Sequence, residues 1–259
     1  MNNKLLRVWQ IALVIIILST WQASSMLSTK AAFFFSNPID VAARLVSWFF
    51  IDLDIYQHLG VTLIETLLAF VIGTILGLLV GLWLALNQRA AAICDPFLKA
   101  LNAMPRVILA PIFALWFGLG IASKVALAVT LVFFIVFFNV FQGVREVSPT
   151  LLANARMLGA GRNDLLRHVY LPSAMSWVFS SLHISVGMAF VGAVVGEYLG
   201  SARGVGYLIL QAEGSFDVRS VFAGIVVLTL CALVLDTLVG KAEKRLMRWQ
   251  PKIGTTEKI

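Results

Sequence analysis

Charge is scarce in this chain. Of its 259 residues only 13% are Asp, Glu, Lys or Arg, against about 25% in an average soluble domain. Too few polar groups remain to cover a water-facing surface, which excludes a soluble enzyme and a disordered chain. Cysteine is scarcer. Cys94 and Cys231 stand 137 positions apart and form no C-x-x-C pattern, which excludes a disulfide-stapled secreted domain and gives no thiolate metal or redox centre. The three histidines, His58, His168 and His183, have no H-E-x-x-H spacing; Asp54 and His58 lie four apart, but a solvated loop is the preferred reading over a metal pair. A nucleotide loop is missing as well. Gly240-Lys241 runs into Ala242 with no glycine loop before it, and Gly200-x-x-x-Gly204-x-Gly206 lacks the lysine and reads as a turn. The chain is therefore expected to hold no metal, no cofactor and no catalytic residue of its own.

Long apolar runs are what it does have. Hydrophobic residues make up 60% of the chain and the mean hydropathy is +0.91. Runs of about 20 apolar residues fill a bilayer core, and six candidates lie near residues 8–27, 61–86, 97–119, 124–142, 173–199 and 221–239. None alternates with period two, so a helix bundle is expected rather than a barrel: an all-α, six-span membrane domain filling residues 1–259. The third run is short between Arg106 and Gly120 and contains Pro111. If it spans, and both termini are cytoplasmic, 15 Lys and Arg face the cytoplasm and five (Lys30, Arg44, Lys124, Arg203 and Arg219) face out. If it turns back, the balance becomes eight against 12. The positive-inside rule selects the span, entered before Pro105 and bent by its prolines. The net charge of +7 is thus a matter of topology and lipid contact, not of nucleic acid. Trp9, Trp83, Trp177 and Trp249 fall near the inner face and Trp21, Trp116, Tyr198 and Tyr207 near the outer, as interfacial rings should. The first run follows Lys4 and Arg7 and ends near Ala23-Ser24-Ser25, but it is longer than a signal-peptide core and lacks a clean A-x-A site.

Two connecting segments have helical signals. Asn37 caps a helix opened by Pro38, with Asp40 in its first turn; Asp40, Arg44 and Ser47 oppose Leu45, Trp48 and Phe49, a pattern for a helix lying in the outer interface. The segment Arg145–Pro172 is too long for a simple connector. Ser148 and Pro149 open a helix with Leu151, Leu152, Ala155 and Leu158 at helical spacing, and Gly159 supplies the left-handed stop. A second helix begins near Asn163 or Asp164, carries Leu165, Leu166 and Val169, and ends before Pro172. The pair either docks a partner or rests on lipid.

The same segment, Ala153-Asn154-Ala155-x-x-x-Gly159-Ala160 followed by Val169-x-Leu171-Pro172, resembles the EAA loop of bacterial ABC importer permeases. Two departures are visible: Ala153 stands where the pattern has Glu, and Asn154 where it has the first Ala. Asp95-Pro96, the run Pro105 to Gly120 ending Trp116-Phe117-Gly118-Leu119-Gly120, and Gly204-x-Gly206-Tyr207-Leu208-Ile209 are similar to the nitrate, sulfonate and taurine branch. The resemblance covers about Pro38 to Trp249. It implies a type I permease of the bacterial inner membrane that works as a homodimer, with two ATPase subunits binding ATP and Mg on its cytoplasmic side and an extracytoplasmic binding protein delivering the solute, a small organic or inorganic anion. The coupling residues it implies are Ala153, Asn154, Ala155, Leu158, Gly159, Ala160, Gly161, Arg162, Asp164 and Pro172. The rival classes are a stand-alone secondary transporter and an intramembrane enzyme.

Two glycine ladders remain, Gly73-Gly77-Gly81 and Gly192-Gly196-Gly200. Small residues four apart let helix backbones approach closely, statically or as a sliding contact. Polar groups within or near the ends of spans are few: Asn139, Ser180, Ser181, His183, Ser185, Glu65, Glu197 and Asp236. Asn139, Ser180, Ser181, His183 and Glu197 are candidates to line a solute path, though helix–helix hydrogen bonding explains them equally well. No acidic chain crosses the membrane, which argues against proton-coupled transport.

Overall fold

The computed structural model describes residues 3–246, and its regular structure is helical throughout. Arg248, Lys252 and Lys258, which enter the charge count above, and Trp249 of the aromatic set lie outside the described residues. In chain order the helices are α1 (Asn3–Leu27), α2 (Thr29–Phe35), α3 (Pro38–Val46), α4 (Ile55–Leu86), α5 (Gln88–Ala103), α6 (Leu109–Phe117), α7 (Ile121–Arg145), α8 (Pro149–Met157), α9 (Arg162–Gly200), α10 (Val205–Gly214) and α11 (Val218–Leu246). Five of them, α1, α4, α7, α9 and α11, are long and apolar enough to cross a membrane; α5 and α6 together make a sixth candidate, bent by 78°. The bend falls where the sequence places it. Met104 is extended (φ −69°, ψ 132°) ahead of Pro105, because the proline ring disfavours a helical residue before it and offers no N–H to continue the ladder.

The core is built on α7. More than half of its apolar stretch (56%) is buried, whereas none of α1's is. Gly73, Gly77 and Gly81 of α4 lie against Val132, Val136 and Val140, so these two helices run parallel and in constant register. Gly192, Gly196 and Gly200 of α9 lie against Ala128, Lys124 and Leu119, so α9 runs antiparallel on another side. Both ladders thus face one helix or the turn that enters it. A Cβ on Gly77 would sit 2.8 Å from Val136 Cβ and 2.9 Å from the Phe133 carbonyl oxygen, well inside the ~3.5–4.0 Å of ordinary carbon contact. Toward the far end, Trp177 fills the notch left by Gly143.

Two expectations meet the structure here. First, the amphipathic helix α3 expected in the outer interface is docked on the bundle. Asn37 does cap it, its Oδ1 accepting from Asp40 N at 2.8 Å, and Arg44 and Ser47 both reach Asp52. The apolar face, however, packs on protein: Val41 and Trp48 are buried with Ile55, Val205 and Ala223, and Leu45 and Phe49 lean on the same cluster. Second, Pro172 does not end a helix. A π-type turn over Leu166–Tyr170 precedes it, and the chain continues helically from Arg162 to Gly200. The wider turn takes up the missing N–H and the ring, so the proline is passed without a break.

Candidate functional site

Two sites lie at opposite ends of the α4–α7–α9 bundle. At one end stands the helical loop. Pro149 occupies the first turn of α8, but Ser148 makes no side-chain cap there; its carbonyl accepts from Leu152 N at 3.1 Å. The helix stops as the sequence requires. Gly159 has φ +89°, and the reversal bonds are in place, Ala160 N–H to the Ala155 carbonyl at 3.0 Å and Gly159 N–H to that of Arg156 at 3.0 Å. Asp164 then accepts from the Gly161 amide at 3.0 Å, holding the entry to α9, so its carboxylate is already engaged within the loop. Ala153, Asn154, Leu158, Gly159, Gly161 and Arg162 are exposed, and Ala155 and Ala160 half-buried. The apolar side chains are the unusual feature: Leu158 is 89% and Met157 79% exposed, and Leu151 is exposed beside them. A groove of about 520 Å³ separates the loop from the end of α4, with Arg156, Arg162 and Tyr170 among its walls.

The other end holds a buried polar cluster whose joint arrangement sequence reasoning missed. Glu65, Glu197 and Lys124 are 0%, 0% and 4% exposed, so the lysine that the charge count sets on the outer side is buried in protein. Lys124 Nζ lies 3.7 Å from Glu65 Oε1 and donates to the Leu119 carbonyl at 3.0 Å. Glu197 accepts from the Thr62 hydroxyl at Oε1 and from the Gly206 amide at Oε2, both at 2.6 Å. Thr62 Oγ1 in turn accepts from Val205 N–H at 2.8 Å, and His58 Nδ1 lies 3.1 Å from the Gly204 amide. The glycine-rich turn is therefore a cradle. Gly204 has φ +115°, and a Cβ there would fall 2.5 Å from Glu197 Oε2. His58 Nδ1 thus engages this turn. The signal lay in the ladder register: stepping the α4–α7 pairing back two turns from Gly73 and Val132 sets Glu65 against Lys124.

The remaining path candidates scatter. Ser181 is fully buried and bonds back to the Val178 carbonyl at 2.7 Å, and Glu197 is buried in the cradle. Asn139 bonds the Ile135 carbonyl of its own helix at 2.8 Å. Ser180 is exposed. His183 is half-buried and links α9 to α11, with Nδ1 2.6 Å from Asp236 and Nε2 3.2 Å from Glu243. Both ring nitrogens thus face carboxylate oxygens of α11.

Comparison with known proteins agrees with this architecture. The chain is 30% identical over 235 residues to the putative aliphatic sulfonates transport permease protein of Bacillus subtilis, covering 91% of this chain and 85% of that one. It is 35% identical over 238 residues to the riboflavin transport system permease protein of Chloroflexus aurantiacus (92% and 88%), and 27% identical over 242 residues to the taurine transport system permease protein of Escherichia coli (92% and 88%). Its fold is similar to an inward-facing MetNI methionine ABC transporter chain, with a TM-score of 0.61 at 20% identity over 73% of this chain and 92% of that one. Residues 69–248 match the family described as binding-protein-dependent transport system inner membrane component. The chain belongs to that family: it is the multi-pass inner-membrane permease component of an ABC importer.

Proposed function

We propose that this permease works as a homodimer whose two helical loops dock two ATPase subunits, and that ATP and Mg act only on those partners. The observation that carries the reading is helix α8, which leaves Leu151, Met157 and Leu158 uncovered beside the sharp stop at Gly159. Such a face is buried when a helix enters a partner's groove. Ala153, Asn154, Ala155, Leu158, Gly159, Ala160, Gly161 and Arg162 would form the contact, with Asp164 and the turn before Pro172 passing its movement into α9.

In this reading both termini and the loop face the cytoplasm, residues 30–60 and 200–220 face out, residues 1–259 form one permease domain, and the bent α5–α6 pair completes a sixth span. An extracytoplasmic binding protein delivers the solute, which we infer to be a small anion such as a sulfonate, taurine or nitrate, given the relatives named above. His183, Asp236 and Glu243 face the solute path rather than lipid, because half-exposed charge in hydrocarbon is expensive. The test is reconstitution of the chain with its ATPase and binding protein in vesicles. ATP-driven solute uptake, and ATPase activity stimulated by loaded binding protein, are expected from the intact loop and lost when Leu151 and Leu158 are changed to Asp. Uptake without an ATPase subunit would overturn the reading.

A further inference from the structure

The buried cluster at the end of the bundle opposite the helical loop has too little positive charge. Two carboxyl groups, Glu65 and Glu197, share one ammonium, Lys124, and all three are sealed from solvent. Ionised together they would leave a net negative charge inside an apolar bundle, the most expensive arrangement available to it.

The hydrogen bonds say which carboxyl is the odd one. Glu197 is held as an acceptor on both oxygens, by Thr62 and by the Gly206 amide at 2.6 Å each. Glu65 has no donor from any other described residue on either oxygen, and Lys124 stands 3.7 Å away, beyond hydrogen-bond length, while spending an N–H on Leu119. Yet Thr62, one turn before Glu65 on α4, bonds Glu197, and Lys124 stands against both Glu65 and Gly196, so the packing brings the two carboxyls together at one ammonium. Two facing carboxylates repel; a carboxylic acid and a carboxylate attract, and form one of the stronger hydrogen bonds available to side chains.

We propose that Glu65 is a proton-holding site, a neutral acid whose O–H donates to Glu197, so that Glu197 and Lys124 remain as one balanced ion pair. The groups facing the proton are Glu197 from α9, Lys124 from α7, Thr62 from α4 itself and the Gly206 amide from α10. The bond ties α4 to α9 and, through Gly206, to the turn that opens α10. Glu65 is in this sense a positioning residue: it completes the acceptor shell of the carboxylate that holds the cradle. A bound monovalent metal ion would supply the same missing charge, but the described residues offer no group of three His, Cys, Asp or Glu to hold one, and the neighbouring ammonium opposes it. Nothing in the inference depends on the ATPase or the solute.

The test uses the purified full chain in lipid nanodiscs. At neutral pH its infrared spectrum should contain the carbonyl-stretch band of a buried protonated carboxyl, absent from Glu65→Gln. That variant keeps an N–H donor toward Glu197, so its melting midpoint should stay within a few degrees of the parent. Glu65→Met, with no donor, and Glu197→Gln, which turns an amide N–H toward Thr62 or Gly206, should both melt clearly lower. Absence of the band from the parent, its persistence in Glu65→Gln, or equal loss of stability in Glu65→Gln and Glu65→Met would overturn the proposal. So would a melting midpoint that falls when sodium is replaced by choline, which would assign the missing charge to a metal ion. Should Glu65→Met fail to fold, the infrared pair decides alone.

Discussion

Gly192 and Gly187 lie on the same helix, five residues apart, and the same substitution should have opposite effects at the two. A Cβ on Gly192 would fall 2.6 Å from Ala128 Cβ and 3.1 Å from Ala128 N. Carbon atoms rest at about 3.5–4.0 Å, so α9 and α7 would have to part by roughly 1 Å. The obstacle is backbone and a methyl group, neither of which can rotate away. Overpacking of this kind costs about 1–3 kcal/mol. At Gly187 a Cβ meets nothing within 4 Å, and replacing glycine in a helix by alanine returns about 0.5–1 kcal/mol of backbone entropy. That entropy gain is common to both sites and cancels between them, leaving a difference of about 1–3 kcal/mol. At about 2–4 °C per kcal/mol in a chain of this size, Gly192→Ala should melt roughly 2–12 °C below Gly187→Ala. Thermal unfolding of the two purified variants in one detergent is the assay. Equal midpoints would mean that the ladder is not a close helix–helix contact, and the packing argument for α7 would fail with it.

At Gly159, where φ is +89° and the space around it is open, backbone strain alone decides: Gly159→Asn should retain the ATPase in co-purification, while the β-branched Gly159→Val should lose it at a backbone cost of roughly 1–2 kcal/mol. Gly204→Ala combines about 1–3 kcal/mol of strain at φ +115° with a clash against Glu197, so its melting midpoint should fall below that of Gly192→Ala. Asp217 supplies a pH test. Burial opposes ionisation of its carboxyl, but hydrogen bonds from the Ser220 hydroxyl and from Arg219 outweigh it and hold the group below its ordinary value of 3.8. A depressed carboxyl contributes stability above its unfolded value that is lost as pH falls through the folded one. Asp217→Asn should therefore melt lower than the parent at neutral pH, and the gap should close below pH 3.8; a gap independent of pH would refute the assignment.

Helix identity was legible in the sequence, because it rests on local chemistry. Asn37 ahead of Pro38, the stop at Gly159 and the break at Pro105 each act through bonds to residues within a turn of themselves. Span ends were less legible: α4 and α11 begin several residues earlier than the apolar runs, since a helix need not stop where hydrocarbon does. Two features lay beyond the sequence for one physical reason. The charge count sets Lys124 on the outer side but reads only position along the chain and is blind to rotation about the helix axis; one face of the first turn of α7 meets α4 and α9, and Lys124 is on it. The alternation of Leu45, Trp48 and Phe49 showed that a face must be covered, but not by what.

The pairing of helices was not legible either, although a glycine ladder announces that some backbone comes close. Both ladders face the same helix, one parallel and one antiparallel, and this has a consequence for charge. A constant register carries any residue on the ladder's line to a fixed partner, so once Gly73 meets Val132, Glu65 must approach Lys124. Once Gly196 meets Lys124, the next residue, Glu197, must come to the same level. Two acids and one base are thus forced together by packing that has nothing to do with charge. The polar atoms around them, the Thr62 hydroxyl and the amides of Val205 and Gly206, follow from that constraint. Removing the close packing should disperse the cluster, whereas neutralising the cluster should leave the ladders in contact.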